Sequence, residues 1–416
     1  MPLPSDVDIA IIGAGAAGLG AARTLETSGL DVVVLEARYR VGGRAHTVIA
    51  SENVIFDVGC GWLHSADKNS FVPIAQELRF ELDQKRPRWR EQTRNIGFPD
   101  ELRAAFMDEL DAFWDRCDEL AQEAEDLPAE RALEPGGRWN PLINAISTYI
   151  SGVELDRVSV RDFVAYDDTE LNWRVRRGYG ALVSAYGARA PVALNTVVSL
   201  IDHSGPRVRI QTSRGTITAD KVIVTLPTDI IARARVRFFP ELPEKIAAAA
   251  GLPLGLADKV TLALDKPNDI PVDGHMRGAI DRVGTASYQL RPFGQPCIEG
   301  YFGGQHARTL EETGDGALAA AAIDEVVNLL GSDFRQRLRP LVASRWALDQ
   351  FALGSYSCAL PGHAGDRAIL AAPVDDRLFF AGEATHPSWF STCHGARDSG
   401  ERAAKEALAS VKVAAK

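Results

Sequence analysis

"VDIAIIGAGAAGLGAARTLETSGLDVVVLE" occupies residues 7 to 36, and its reading decides the fold. The opening six residues are apolar except for Asp8, the pattern of a strand buried on both faces of a parallel sheet. "AAGLGAARTLETSG" has helical spacing and stops at Gly29. "LDVVVLE" is a second buried strand. Gly13, Gly15 and Gly18 stand between the first strand and the helix in G-x-G-x-x-G spacing. Alone, that spacing is weak evidence. Here it closes a strand, opens a helix and is followed by Glu36 at the end of the next strand, 18 residues after Gly18. Gly13 permits the tight turn, Gly15 lets the backbone approach a pyrophosphate, and Gly18 lets helix and strand pack closely. The helix N-terminus offers unpaired N–H groups and a partial positive charge. Glu36 can accept from ribose hydroxyls and disfavours a 2′-phosphate. The expected ligand is NAD-like or FAD-like, touching Ala17, Glu36, Ala37 and Arg38.

At 416 residues the chain should divide into two domains. A net charge of −10 argues against a nucleic-acid partner and mildly favours a cationic ligand. The five cysteines (Cys60, Cys117, Cys297, Cys358 and Cys393) form no C-x-x-C pair, and the eight histidines show no ligand spacing. Neither a disulfide framework nor a metal site is expected. The N-terminus lacks the pattern of a signal peptide, and no apolar run approaches the ~20 residues of a membrane helix. The expectation is a soluble cytoplasmic protein without a membrane partner.

Further along, residues 99 to 126 read as an amphipathic helix with an acidic outer face. "VRIQTS" and "TITA" around Arg214-Gly215 read as a hairpin, followed by a strand "KVIVTLP". Residues 315 to 331 read as a helix ended by Gly331. "LFFAGEATHP", at 378 to 387, is a strand that stops on Gly382 and the lone acid Glu383.

Several segments resemble one family. Arg40-Val41-Gly42-Gly43-Arg44 resembles the second glycine motif of the two-dinucleotide-binding flavoproteins, where Gly43 and Arg44 would serve FAD phosphates. "FDVGCGWLH" (56 to 64), with Gly59, Gly61 and Trp62, resembles the segment beside the flavin ring in amine and polyamine oxidases. "FAGEAT", "TCHGARDSG" (392 to 400), "RGYGAL" (177 to 182), Trp346 and "GSYS" (354 to 357) resemble further elements of that family. The resemblance implies an α/β fold in which a two-dinucleotide-binding, Rossmann-like FAD domain (1–76, 177–235 and 345–416) is interleaved with an α+β substrate-binding domain (77–176 and 236–344). It implies that Gly382, Glu383, Thr392 and Cys393 approach the cofactor and that Val197 meets the adenine.

The same resemblance implies amine oxidation. Hydride passes to flavin N5, the imine hydrolyses to a carbonyl compound, and O2 becomes H2O2. Lys259, in "ADKVTL", matches a lysine that holds a water against N5. Tyr356 is one wall of an aromatic cage; the opposite position, Thr392, is not aromatic, so Trp389 or Phe390 would have to substitute. His64 is a candidate for the substrate amine. Ser355 stands where monoamine oxidases carry the cysteine that attaches the flavin, so FAD should be non-covalent. A homodimer is left open. So are three other readings: an L-amino-acid oxidase using Arg177, Arg291 or Arg345 for the carboxylate, a carrier-coupled dehydrogenase, and a flavin-bearing interaction module.

Overall fold

The computed structural model describes residues 3–411. Seven elements position the site: β1 (Asp6–Ile12), α1 (Ala16–Leu25), β2 (Val32–Leu35), β3 (Gly215–Val224), β4 (Ala257–Leu264), β5 (Leu378–Phe380) and α2 (Cys393–Ala409). The main sheet runs Arg237–Phe239, Val198–Asp202, Val208–Thr212, β3, β1, β2, Val192–Ala193. β1 sits between β2 and β3, parallel to both, and Ile9, Ala10 and Ile11 are fully buried. Burial of each isoleucine contributes roughly 1.5–3 kcal/mol.

β3 differs from its sequence reading. "TITA" and "KVIV" form one ten-residue strand, not two elements. Its first half pairs antiparallel with Val208–Thr212, and along the same edge Val222–Val224 then takes β5 in parallel. The late strand therefore enters the sheet where the hairpin partner ends.

Behind the sheet, α1 and α2 cross at backbone distance. A Cβ on Gly20 would lie 2.5 Å from the Arg397 carbonyl oxygen, and one on Gly400 would lie 1.9 Å from that of Ala17. Only glycine fits either position.

A second sheet of five antiparallel strands has the order Gly274–Arg277, Ser287–Leu290, Cys297–Gly303, β4, Leu338–Ala343. Val260 and Leu262 of β4 pack with Leu318, Ala322 and Val326 of the helix Ala317–Leu330. The period of two turns Lys259 to the opposite face. The acidic helix spans Asp100–Leu120, seven residues shorter than its sequence reading, and buries Phe106, Phe113 and Cys117 among Trp139, Leu142 and Leu155. Among the described residues no helix is long and apolar enough to cross a membrane.

Candidate active site

Residues of both sheets line one cavity of about 1770 Å³. Single small-ligand pockets hold roughly 300–1,000 Å³, so there is room for a dinucleotide and a substrate together.

One end is built from β1, α1 and β2. Gly13 turns the chain at φ 103°, and a Cβ on Gly18 would meet the Gly13 carbonyl oxygen at 1.9 Å. Gly15, Ala16 and Ala17 line the cavity at the N-terminus of α1. A Cβ on Gly15 would find only Gly42 O and Gly43 Cα, both 4.0 Å away, so the loop leaves an open cradle for a phosphate. Glu36 holds this loop in shape, accepting from the amides of Ala14 at 2.7 Å and Arg38 at 2.8 Å. Burial pushes its pKa up while those two bonds oppose the rise. Ala37 and Arg38 also line the cavity, but the Arg38 guanidinium is committed to Asp349 through two bonds of 2.7 Å. Val197 lines the cavity as well. Its N–H donates to Ser213 Oγ at 3.0 Å and its carbonyl accepts from the Ser213 amide. The cradle, the ribose-side acid and the second glycine pair at Gly42-Gly43 fit the diphosphate and ribose of a dinucleotide.

Further in, Arg44 donates to Glu383 and to the Ser355 carbonyl oxygen at 2.7 Å. Gly59 follows closely: its Cβ would fall 1.6 Å from the Arg44 carbonyl oxygen. Trp346 donates its indole N–H to Val58 O at 3.2 Å, next to Gly59. From the other side come Gly382, Glu383, Thr392 and Cys393. Thr392 caps α2, accepting from the Gly395 amide at 3.0 Å and donating to Trp389 O at 2.6 Å. The neighbouring Cys393, together with burial, pushes the pKa of the Cys60 thiol up.

Lys259 is not at a sheet edge. β4 is flanked on both sides, and the ammonium reaches the Gly59-Cys60-Gly61 loop. It donates to Asp57 O at 3.3 Å and to Gly59 O, and lies 5.2 Å from the Tyr301 ring centroid. Two of its three donors are thus used. Burial pushes its pKa down, with Asp57 and Glu299 opposing.

Aromatic side chains line the opposite end. Tyr356 donates to Tyr149 O, Trp62 meets Trp89 edge-on at 4.7 Å, and Trp114 lies against Phe163 at 4.6 Å. His64 Nδ1 bonds Asn172 Oδ1 at 2.6 Å, and burial pushes its pKa down. Phe390 reaches the cavity beside Tyr166. Trp389 does not line the cavity: it stacks on His386 at 5.1 Å and packs against His394. Hydrogen bonds from the Ser388 and Trp389 amides to His386 Nδ1 fold this loop away from the site. Sequence reasoning missed Trp89, Tyr149, Tyr301 and Arg277, all of which line the cavity. Strand alternation around Lys259 signals its neighbours only once the register is known.

The family model described as flavin containing amine oxidoreductase matches residues 16–136 and 96–408. Polyamine oxidase 4 of Oryza sativa subsp. japonica is 29% identical, over 97% of this chain and 88% of the relative. Lysine-specific histone demethylase 1 homolog 1 of the same organism is 28% identical, over 97% of this chain and 52% of the relative. In fold, the chain is similar to putrescine oxidase bound to putrescine, with a TM-score of 0.75, 19% identity and coverage of 97% and 99%.

Proposed function

This chain belongs to the flavin-containing amine oxidoreductases, and from that premise we propose that it oxidises the C–N bond of an amine with non-covalent FAD and O2, giving an imine, then an aldehyde or ketone, and H2O2. When bound, the flavin supplies the two-electron acceptor. The observation that carries the reading is Lys259, fastened to Gly59 between the cofactor cradle and the aromatic end. A lysine with its pKa lowered by burial can hold and pass a proton where one with an ordinary pKa stays charged.

Each remaining part has one task. The α1 amides bind phosphate and Glu36 binds ribose. Tyr356, Trp62, Trp89 and Phe390 exclude water and orient an apolar chain. Non-covalent attachment is supported at Ser355, whose hydroxyl exchanges hydrogen bonds of 2.9 Å with both the amide and the carbonyl of Ala257.

The test is anaerobic. Addition of an amine panel to purified holoenzyme should bleach the flavin absorbance, and air should restore it with release of H2O2. Recovery that requires an electron-carrier protein instead of air would replace oxidase with dehydrogenase. No bleaching by any amine would overturn the reading.

A further inference from the structure

The second sheet places a row of side chains on the cavity floor. Arg277 pairs with Ser287, Ser287 with Tyr301, and Tyr301 with Lys259. All four line the cavity. Across three strand spacings, the Arg277 and Lys259 backbones stand roughly 14 Å apart.

Arg277 is unlike most arginines around it. Arg38, Arg44, Arg86, Arg88 and Arg90 also line the cavity, and each has a carboxylate partner. Arg235 lacks one but is exposed to solvent. Arg277 forms no ion pair among the described residues, and of its guanidinium N–H groups only one on Nη2 has a protein acceptor, Trp89 O at 3.0 Å. A guanidinium carries five donors in a planar fork. Burial pushes its pKa down and no carboxylate opposes the fall. The guanidinium is half-buried at the cavity wall, 5.8 Å from the Phe106 ring centroid, and a ligand anion can take the donors that the protein leaves free.

Resting on the amine-oxidation reading above, we propose that Arg277 binds a substrate carboxylate, so that the amine oxidised here carries a carboxylate remote from its reacting carbon. An α-carboxylate would lie within a bond or two of that carbon and close to Lys259. There the nearby cations are already engaged, Arg174 by Glu299 at 3.2 Å and Arg44 by Glu383 at 2.9 Å. Arg177, Arg291 and Arg345 do not line the cavity. The exposed carboxylates of Asp111, Asp115 and Asp118 also border the cavity, and none of them pairs with Arg277. An ω-amino carboxylate would place its amine at the Lys259 end and its carboxylate at Arg277.

The experiment compares straight-chain alkylamines, diamines and ω-amino carboxylates of equal length, by anaerobic flavin reduction in holoenzyme. The ω-amino carboxylates should show the highest kcat/KM. Arg277→Met should lower theirs roughly 10- to 100-fold, the size of a lost charge-assisted hydrogen bond, and lower that of alkylamines far less. Arg277→Lys should retain part of the preference. Equal rates for alkylamines and amino carboxylates would overturn the proposal. So would an equal loss for all amines in Arg277→Met, which would reduce Arg277 to an anchor for the Trp89 segment. If no amine reduces the flavin, amine oxidation itself fails, and hexanoate binding, read by flavin difference absorbance, decides the carboxylate site separately. Weaker binding to Arg277→Met supports the site, and equal binding to both proteins overturns it.

Discussion

The Arg44 guanidinium donates to Glu383 Oε1 at 2.9 Å across 339 positions of sequence, joining the loop after β2 to the end of β5. Glu383 also accepts from the Ser357 amide, from Ser357 Oγ at 2.6 Å and from the Ser391 amide at 3.0 Å. Its oxygens are filled by protein donors from three parts of the chain. Burial alone would push its pKa up, but Arg44, Ser357 and Arg367 more than offset that and hold it below the usual 4.5. The acid that stops an apolar strand is thus a clamp that holds the cavity wall together.

Glu383→Gln should therefore cost about 3 kcal/mol, the lower end for breaking a buried pair because Arg44 keeps 25% of its side chain exposed. A folded pKa below the unfolded one means that the clamp's stability is complete above the unfolded value and is lost as pH falls through the folded value. Urea midpoints should separate wild type from Glu383→Gln at neutral pH and converge in acid. The variant should also release more FAD on gel filtration.

Lys259→Met removes the ammonium and keeps most of the bulk. Reduction of the flavin by amine should change little, while reoxidation by O2 should slow roughly 10²-fold, the scale of a lost proton-transfer group. Stopped-flow measurement of the two half-reactions checks this. Slowed reduction with normal reoxidation would move Lys259 to substrate binding.

How much of this could be read in advance depended on range along the chain. The cradle at Gly13, Gly15 and Gly18 and the acid Glu36 lie within one strand-helix-strand unit, so spacing alone identifies them. The row from Lys259 to Arg277 depends on the register of four strands that begin at residues 257, 274, 287 and 297. Nothing local fixes that register, so Arg277 and Tyr301 went unnoticed. Trp389 shows the opposite limit. An aromatic residue three positions before Thr392 suggests an inward wall, yet stacking on His386 turns it outward.

Gly400→Ala tests the helix crossing. The new Cβ would lie 1.9 Å from the Ala17 carbonyl oxygen, so α1 and α2 must separate. Overpacking of this kind costs about 1–3 kcal/mol. Because Ala17 belongs to the phosphate cradle, FAD affinity should fall along with the melting temperature. A nearby substitution facing solvent, Lys405→Ala, should leave FAD binding intact.

His275 gives a prediction in acid. Its Nδ1 lies 2.8 Å from Glu91 O and must donate; Nε2, 2.9 Å from Ser287 Oγ, then accepts, which satisfies the neutral ring. Burial, with Arg277 adjacent, pushes its pKa down from 6.5 to about 3. Between those values the unfolded chain binds a proton that the folded chain refuses. Stability from this residue is thus complete above 6.5 and falls as pH drops toward about 3. The slope approaches 1.4 kcal/mol per pH unit in the middle of that window. His394, also pushed down to about 3, adds its own share, so His275→Gln should reduce the slope without abolishing it. Urea midpoints measured from neutral pH to about pH 4 for both proteins give His275's share as the difference in slope. Parallel curves would show that His275 is protonated in the folded protein and that Ser287 donates elsewhere.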